Sequence, residues 1–353
     1  MFRINQSLAS MLSSIEHAPT ALSNQSILDW SEGGQINQNV IDHLSSYFRK
    51  ETAESGPYEI HPFIYREAAQ FDLSRRYLLL GTFPPATYIR NIPQLSGVAA
   101  ADPDVRPAPS VDFYFGETTS LWHMFGLPSV QLTRAMIDDF LKDRSIAVTD
   151  VILGAQRMMF HDIRDMSLFN ILPNHQLCKL FSDNSAIETI LFTSGNLAGV
   201  PLTTSGHISL NMPNTVRVFL KTLIEICTHE QLYVSGKPDG SGTFYRFGPK
   251  GLAHAVSDQD NHLIWYLRFG DKVLRMVSLP SPATPATLPE TPFFRRWLQY
   301  KAKKAGIQSP AKKDDLLEYM TAYPDVFVHP YMTQYRSEIY QMAIDHPEEL
   351  FTI

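Results

Sequence analysis

Three groups of side chains in this chain of 353 residues have types and spacing suited to chemistry. Asp150 closes the apolar run Ala147-Val148-Thr149-Asp150, and a carboxylate there can only accept hydrogen bonds. Phe113-Tyr114-Phe115-Gly116 lines up three aromatic rings, with Trp122 behind them, Asp112 within reach and Glu117 next in sequence. Phe83 supplies a further ring. Aromatic faces stack on planar groups, and a carboxylate near a developing positive charge stabilises it. Ser281 and Thr284 place two hydroxyls in the proline-rich stretch Leu279-Pro280-Ser281-Pro282-Ala283-Thr284-Pro285. Hydroxyls and backbone N–H groups in such a turn suit a phosphate. Each group also has an ordinary structural use. Rings pack cores, an Asp after a strand caps the following helix, and prolines stiffen surface turns.

These residues need elements to hold them. Tyr77-Leu78-Leu79-Leu80 is a short apolar run that passes into Gly81-Thr82-Phe83-Pro84-Pro85. Such a run bounded by turn formers predicts a buried parallel strand, with a loop at its carboxyl end. Ligands bind at that end of open α/β sheets. Residues 145–151 predict a second buried strand, 187–194 a third and 273–279 a last one, with helices over 132–141, 175–181 and 215–227. This alternation predicts a parallel sheet covered by helices. Between about 231 and 270 the chain is β-rich and broken by Gly and Asp-Asn turns, which predicts hairpins inserted before the last core strand. Residues 1–57, with helical patterning over 4–15 and 36–48, read as a helical N-terminal extension, 58–305 as the core and 306–353 as a helical C-terminal tail.

The strand ending in Gly81-Thr82-Phe83-Pro84-Pro85 is similar to the first motif of the uracil-DNA glycosylase superfamily. The aromatic run, the strand ending in Asp150 and Leu279-Pro280-Ser281-Pro282 follow in the order that superfamily uses. His61-Pro62-Phe63 resembles the approach to the core in bacterial members of its hypoxanthine- and mismatch-type branch. The resemblance implies an α/β fold of three layers, α/β/α, around a central, mainly parallel four-stranded sheet. It also implies a protein that flips a damaged or modified base out of single- or double-stranded DNA and hydrolyses its N-glycosidic bond, with no cofactor.

On this likeness Phe83, Phe113, Tyr114 and Phe115 would stack the base and Asp150 would read an N–H edge. Thr82, Pro84, Pro85, Ser281 and Thr284 would meet the DNA backbone. The sequence departs from the family pattern at two places. Phe83 stands where well-known members carry a water-positioning Asp or Asn, and Leu279 stands where many carry His. Glu117, then Ser120 and Asp112, are the remaining candidates to orient water. A base-binding module without catalysis and a hydrolase of small nucleosides or nucleotides are the rival readings.

Composition narrows the field. Two cysteines, Cys178 and Cys227, exclude a disulfide framework and a four-cysteine metal centre. Twelve histidines fall without metal-ligand spacing. No nucleotide-binding glycine loop, His-Glu-x-x-His pair or Gly-x-Ser-x-Gly elbow occurs. The net charge of −6 counts against a large nucleic-acid footprint, and the basic residues clustered from Arg295 to Lys313 read as a solvated helix face. The start of the chain lacks the apolar core of a secretory signal, so the cytoplasm is the expected location.

Overall fold

The computed structural model describes residues 59–61, 63–64, 71–85, 88, 111, 113–116, 121–128, 130–158, 165–194, 214–226, 232–235, 243–248, 251–255, 263–282, 292–306 and 332–346. The expected helices at 4–15 and 36–48, and the candidates Asp112, Glu117, Ser120 and Thr284, lie outside these residues.

The strands are β1 (Glu59–Ile60), β2 (Tyr77–Gly81), β3 (Ile146–Asp150), β4 (Ile152–Arg157), β5 (Leu168–Pro173), β6 (Thr189–Phe192), β7 (Leu232–Ser235), β8 (Thr243–Gly248), β9 (Gly251–Ala255), β10 (Ile264–Phe269) and β11 (Lys272–Ser278). The helices are α1 (Leu121–Met124), α2 (Arg134–Asp143), α3 (Thr215–Ile226), α4 (Pro292–Ala305) and α5 (Met332–Asp345). Residues Asp165–Ser167 and His175–Phe181 form 3-10 turns, so the helix expected at 175–181 is of the tighter kind.

The fold is α/β, and its main sheet is mixed. Eight strands lie in the order β3-β2-β6-β11-β10-β7-β8-β9. The first four in that order run parallel to one another. From β10 to β9 every pairing is antiparallel. The expected sheet of four strands is therefore too small. The inserted β segment continues the sheet from the edge of β11, whose backbone N–H and C=O groups would otherwise face open space.

A second sheet, β1-β4-β5, is antiparallel and has no counterpart in the sequence reading. The chain leaves the main sheet at Asp150 and enters the second at Ile152, with Val151 as the joint.

Alternation along the parallel strands divides the core. Leu78, Leu80, Ile190, Phe192, Leu274 and Met276 face one side, packed with α3 residues such as Val216 and Phe219. Tyr77, Leu79, Val148, Leu191 and Val277 face the other, packed with α2, α4 and α5 through Ile137, Trp297 and Tyr335. A parallel sheet needs cover on both faces, which explains its unbroken apolar strands. The C-terminal helix belongs to this packing. Tyr340 is buried in it and donates to the Pro280 carbonyl at 2.7 Å, and burial pushes its phenol pKa up. Among the described residues no helix is long and apolar enough to cross a membrane.

Candidate functional site

Gly81 and Asp150 stand side by side, because β2 and β3 pair in register with these two residues opposite each other. The Asp150 side chain folds over Gly81. A Cβ built on Gly81 would lie 2.1 Å from Asp150 Oδ1 and 2.7 Å from Phe115 Cζ, so a side chain at this position would displace both. Asp150 does not cap a helix, since the chain continues as β4. Asn174 holds its backbone instead, donating from Nδ2 to the Asp150 carbonyl at 2.9 Å.

The two carboxylate oxygens differ. Oδ2 is 2.8 Å from His61 Nε2, across 89 residues of sequence. The pairing of β1 with β4 brings His61 there, and its own N–H continues that ladder to the Leu153 carbonyl at 2.7 Å. Oδ1 is buried and has no hydrogen-bond partner among the described residues. A buried polar atom without a partner costs about 1–3 kcal/mol, more when charged.

Phe115 carries φ of +65°, a left-handed backbone that costs a non-glycine residue about 1 kcal/mol or more. Tyr88 shapes this turn. Its hydroxyl accepts the Phe113 N–H at 2.8 Å and contacts the Val111 and Phe113 carbonyls. Gly116 follows at φ +46°, and a Cβ there would sit 2.4 Å from Tyr88 Cε2. The turn directs the Phe115 ring onto Gly81, edge-on to Trp122 at 6.2 Å.

The aromatic candidates thus separate. Phe113 and Tyr114 are core residues, 0% and 1% exposed. Phe113 stacks on Trp122 at 6.1 Å and carries the Arg134 guanidinium 3.7 Å from its centroid. Tyr114 packs on His61 at 5.1 Å and Phe63 at 5.3 Å. Phe83 is also buried, edge-on to His61 at 5.8 Å. Phe115 keeps part of its surface.

On the other face of the strand ends lies a hydroxyl cluster. Thr82 Oγ1 is 3.0 Å from Ser194 Oγ and 2.8 Å from Thr215 Oγ1, and those two are 2.8 Å from each other. The Thr82 hydroxyl is therefore occupied within the protein, where the sequence suggests a DNA contact. Asp165, half-buried, comes within hydrogen-bonding reach of it. Desolvation is the main cause that pushes the Asp165 carboxyl up to about 6; Thr82 and Arg157 oppose the shift, and the charge of Asp150 adds to it.

Arg157, 1% exposed, lies between these groups and the second sheet. It donates to Glu59 Oε2 at 2.9 Å and to the Pro84 carbonyl at 2.8 Å, and so pins the loop after β2. Pro84 is buried and Pro85 half-buried. Ser281 is half-buried just past β11, in the loop that Tyr340 holds.

The structure thus gathers Gly81, Asp150 and Phe115 with His61, and places Thr82 beside Asp165. Sequence reasoning missed His61 as a partner of Asp150, and it missed Asn174, Asp165, Arg157 and Glu59. Only His61 carried a signal, through its place in His61-Pro62-Phe63. Among the described residues no group of three or more His, Cys, Asp or Glu is placed to hold a metal ion. Comparison with known proteins finds no matching family model, no matching curated protein and no matching solved structure.

Proposed function

We propose that this chain is a base-recognising protein of the uracil-DNA glycosylase type. It takes a base extruded from DNA against Phe115, reads its N–H edge with Asp150 and hydrolyses its N-glycosidic bond. One observation carries the reading: Asp150 Oδ1, buried and without a partner among the described residues at the carboxyl end of a parallel strand, beside the half-buried Phe115 ring on a strained backbone. A carboxylate oxygen there accepts from an imide or lactam N–H, such as N3–H of uracil or N1–H of hypoxanthine. The four parallel strands that form one end of the main sheet, buried on both faces, support the three-layer fold implied by the motifs. Ser281 and Thr284 are the proposed phosphate contacts.

In the proposed reaction the oxygen of water bonds to C1′ and the C1′–N bond breaks. The base leaves with the bonding pair, and water gives up a proton that the departing base takes up, so that the products are the free base and an abasic sugar. Glu117, then Ser120 and Asp112, remain the candidates to orient that water. A second reading, a base-binding module without hydrolysis, is favoured by two positions. Phe83 stands where well-known members carry Asp or Asn and Leu279 where many carry His, and both are packed into the core at 6% and 0% exposure.

A base-release assay separates the two. End-labelled oligonucleotides would carry uracil, hypoxanthine, xanthine or a bulky modified pyrimidine, and Asp150→Ala and Glu117→Gln would run alongside. Release that Asp150→Ala abolishes supports the glycosylase. Binding without release in every case supports the module. Neither binding nor release overturns both.

A further inference from the structure

We infer that His61 sets the chemical sense of this site: by presenting its Nε2–H to Asp150 Oδ2 it leaves Oδ1, which lies over Gly81 beside Phe115, as a pure acceptor, so that only a ligand edge bearing an N–H is taken. The inference rests on the base-pocket reading above and adds the residue that determines its specificity.

The tautomer follows from the hydrogen bonds. His61 Nδ1 is 3.1 Å from the Phe63 backbone nitrogen, whose N–H can only donate. Nδ1 is therefore the acceptor, and the ring proton sits on Nε2, aimed at Asp150 Oδ2 at 2.8 Å. Turning the ring over would break both bonds and leave a buried N–H and a buried carboxylate oxygen unpaired. Packing opposes it as well. The His61 side chain is 0% exposed, with Phe63, Phe83 and Tyr114 at centroid distances of 5.9, 5.8 and 5.1 Å. The imidazole is thus held in one tautomer and one orientation.

That constraint passes to residue 150. Oδ2 must accept, so whatever replaces the carboxylate must also turn an acceptor towards His61. An amide obeys by pointing its carbonyl oxygen at Nε2–H, and its NH₂ group then takes the place of Oδ1. Asp150→Asn is therefore expected to convert the acceptor at the Oδ1 position into a donor. With the Nε2–H removed, the amide has no reason to choose, and the conversion is lost. His61 acts through Asp150 and is a positioning residue.

Two pyrimidines of the same ring size read the difference. Uracil presents N3–H, whereas pyrimidin-2-one has a lone pair at N3 and no amino group. Short single-stranded oligonucleotides carrying one or the other are titrated against the full chain by fluorescence anisotropy. The wild-type chain is expected to prefer uracil by about tenfold or more, the value of one hydrogen bond to a charged group. Asp150→Asn is expected to reverse the order, and His61→Leu combined with Asp150→Asn to bring the two probes within about twofold of each other.

A second measurement needs no ligand. The ¹⁵N shifts of the His61 ring report the tautomer directly, and Nε2–H is expected in the folded wild-type chain. An Nδ1–H ring or an imidazolium in that state overturns the inference. So does an Asp150→Asn chain that keeps the uracil preference, or a double variant that keeps the reversal. If neither probe binds the wild-type chain, the base-pocket reading falls and takes the inference with it, whatever the tautomer.

Discussion

Asp150 and Asp165 lie near enough to feel each other's charge, and their surroundings differ. Asp150 has a fixed donor on one oxygen, while the neighbours of Asp165 desolvate it and push its carboxyl up to about 6. A carboxyl held above its unfolded value binds its proton more tightly when folded. Its contribution to stability is complete below the unfolded value of about 3.8 and is lost as pH rises towards about 6, by at most about 3 kcal/mol. Asp165→Asn removes this titration. Urea unfolding is expected to show the variant gaining on the wild-type chain at pH 8, with the gain gone near pH 4. A difference independent of pH would contradict the burial assigned to Asp165.

At the scale of elements, the second sheet supports the site from below. β4 carries Arg157, which reaches back to Glu59 on β1 and forward to the Pro84 carbonyl. Glu59→Gln takes from the buried Arg157 guanidinium the carboxylate it donates to at 2.9 Å and is expected to cost about 3 kcal/mol or more in urea unfolding. Replacing both partners with apolar residues of similar volume is expected to recover much of that loss, at the expense of the loop after β2.

The same elements show what the sequence could and could not disclose. β2, β3, β6 and β11 were legible because buried parallel strands are short apolar runs that stop at turn formers. β4 was not, since Ile152-Leu153-Gly154-Ala155-Gln156-Arg157 ends in two buried polar residues and contains a glycine. β5 contains Asn170 and closes on Pro173, and β1 has two residues, too few for any periodicity. Gly81 and Asp150 could be found because each terminates a strand. The His61–Asp150 and Glu59–Arg157 contacts could not, because pairings 89 and 98 residues apart depend on a sheet the sequence did not announce.

For the whole molecule, the net charge of −6 sets the kind of DNA contact to expect. A base pocket with two or three phosphate contacts on a single strand would lose roughly tenfold in affinity between about 50 and 200 mM salt. Anisotropy titrations across that range check it. A loss of several hundredfold would mean a broad basic interface, and no loss would favour a small nucleoside as ligand.

The central claim is that Asp150 Oδ1 accepts an N–H from a base, and proton NMR reads that bond most directly. An oligonucleotide carrying [¹⁵N3]uracil is bound to the full chain, and the imino proton is followed through its nitrogen label. The expected result is a downfield imino resonance, protected from exchange in the complex and absent with Asp150→Ala. An imino proton that stays unprotected in a saturated complex, or survives unchanged in Asp150→Ala, would contradict the account.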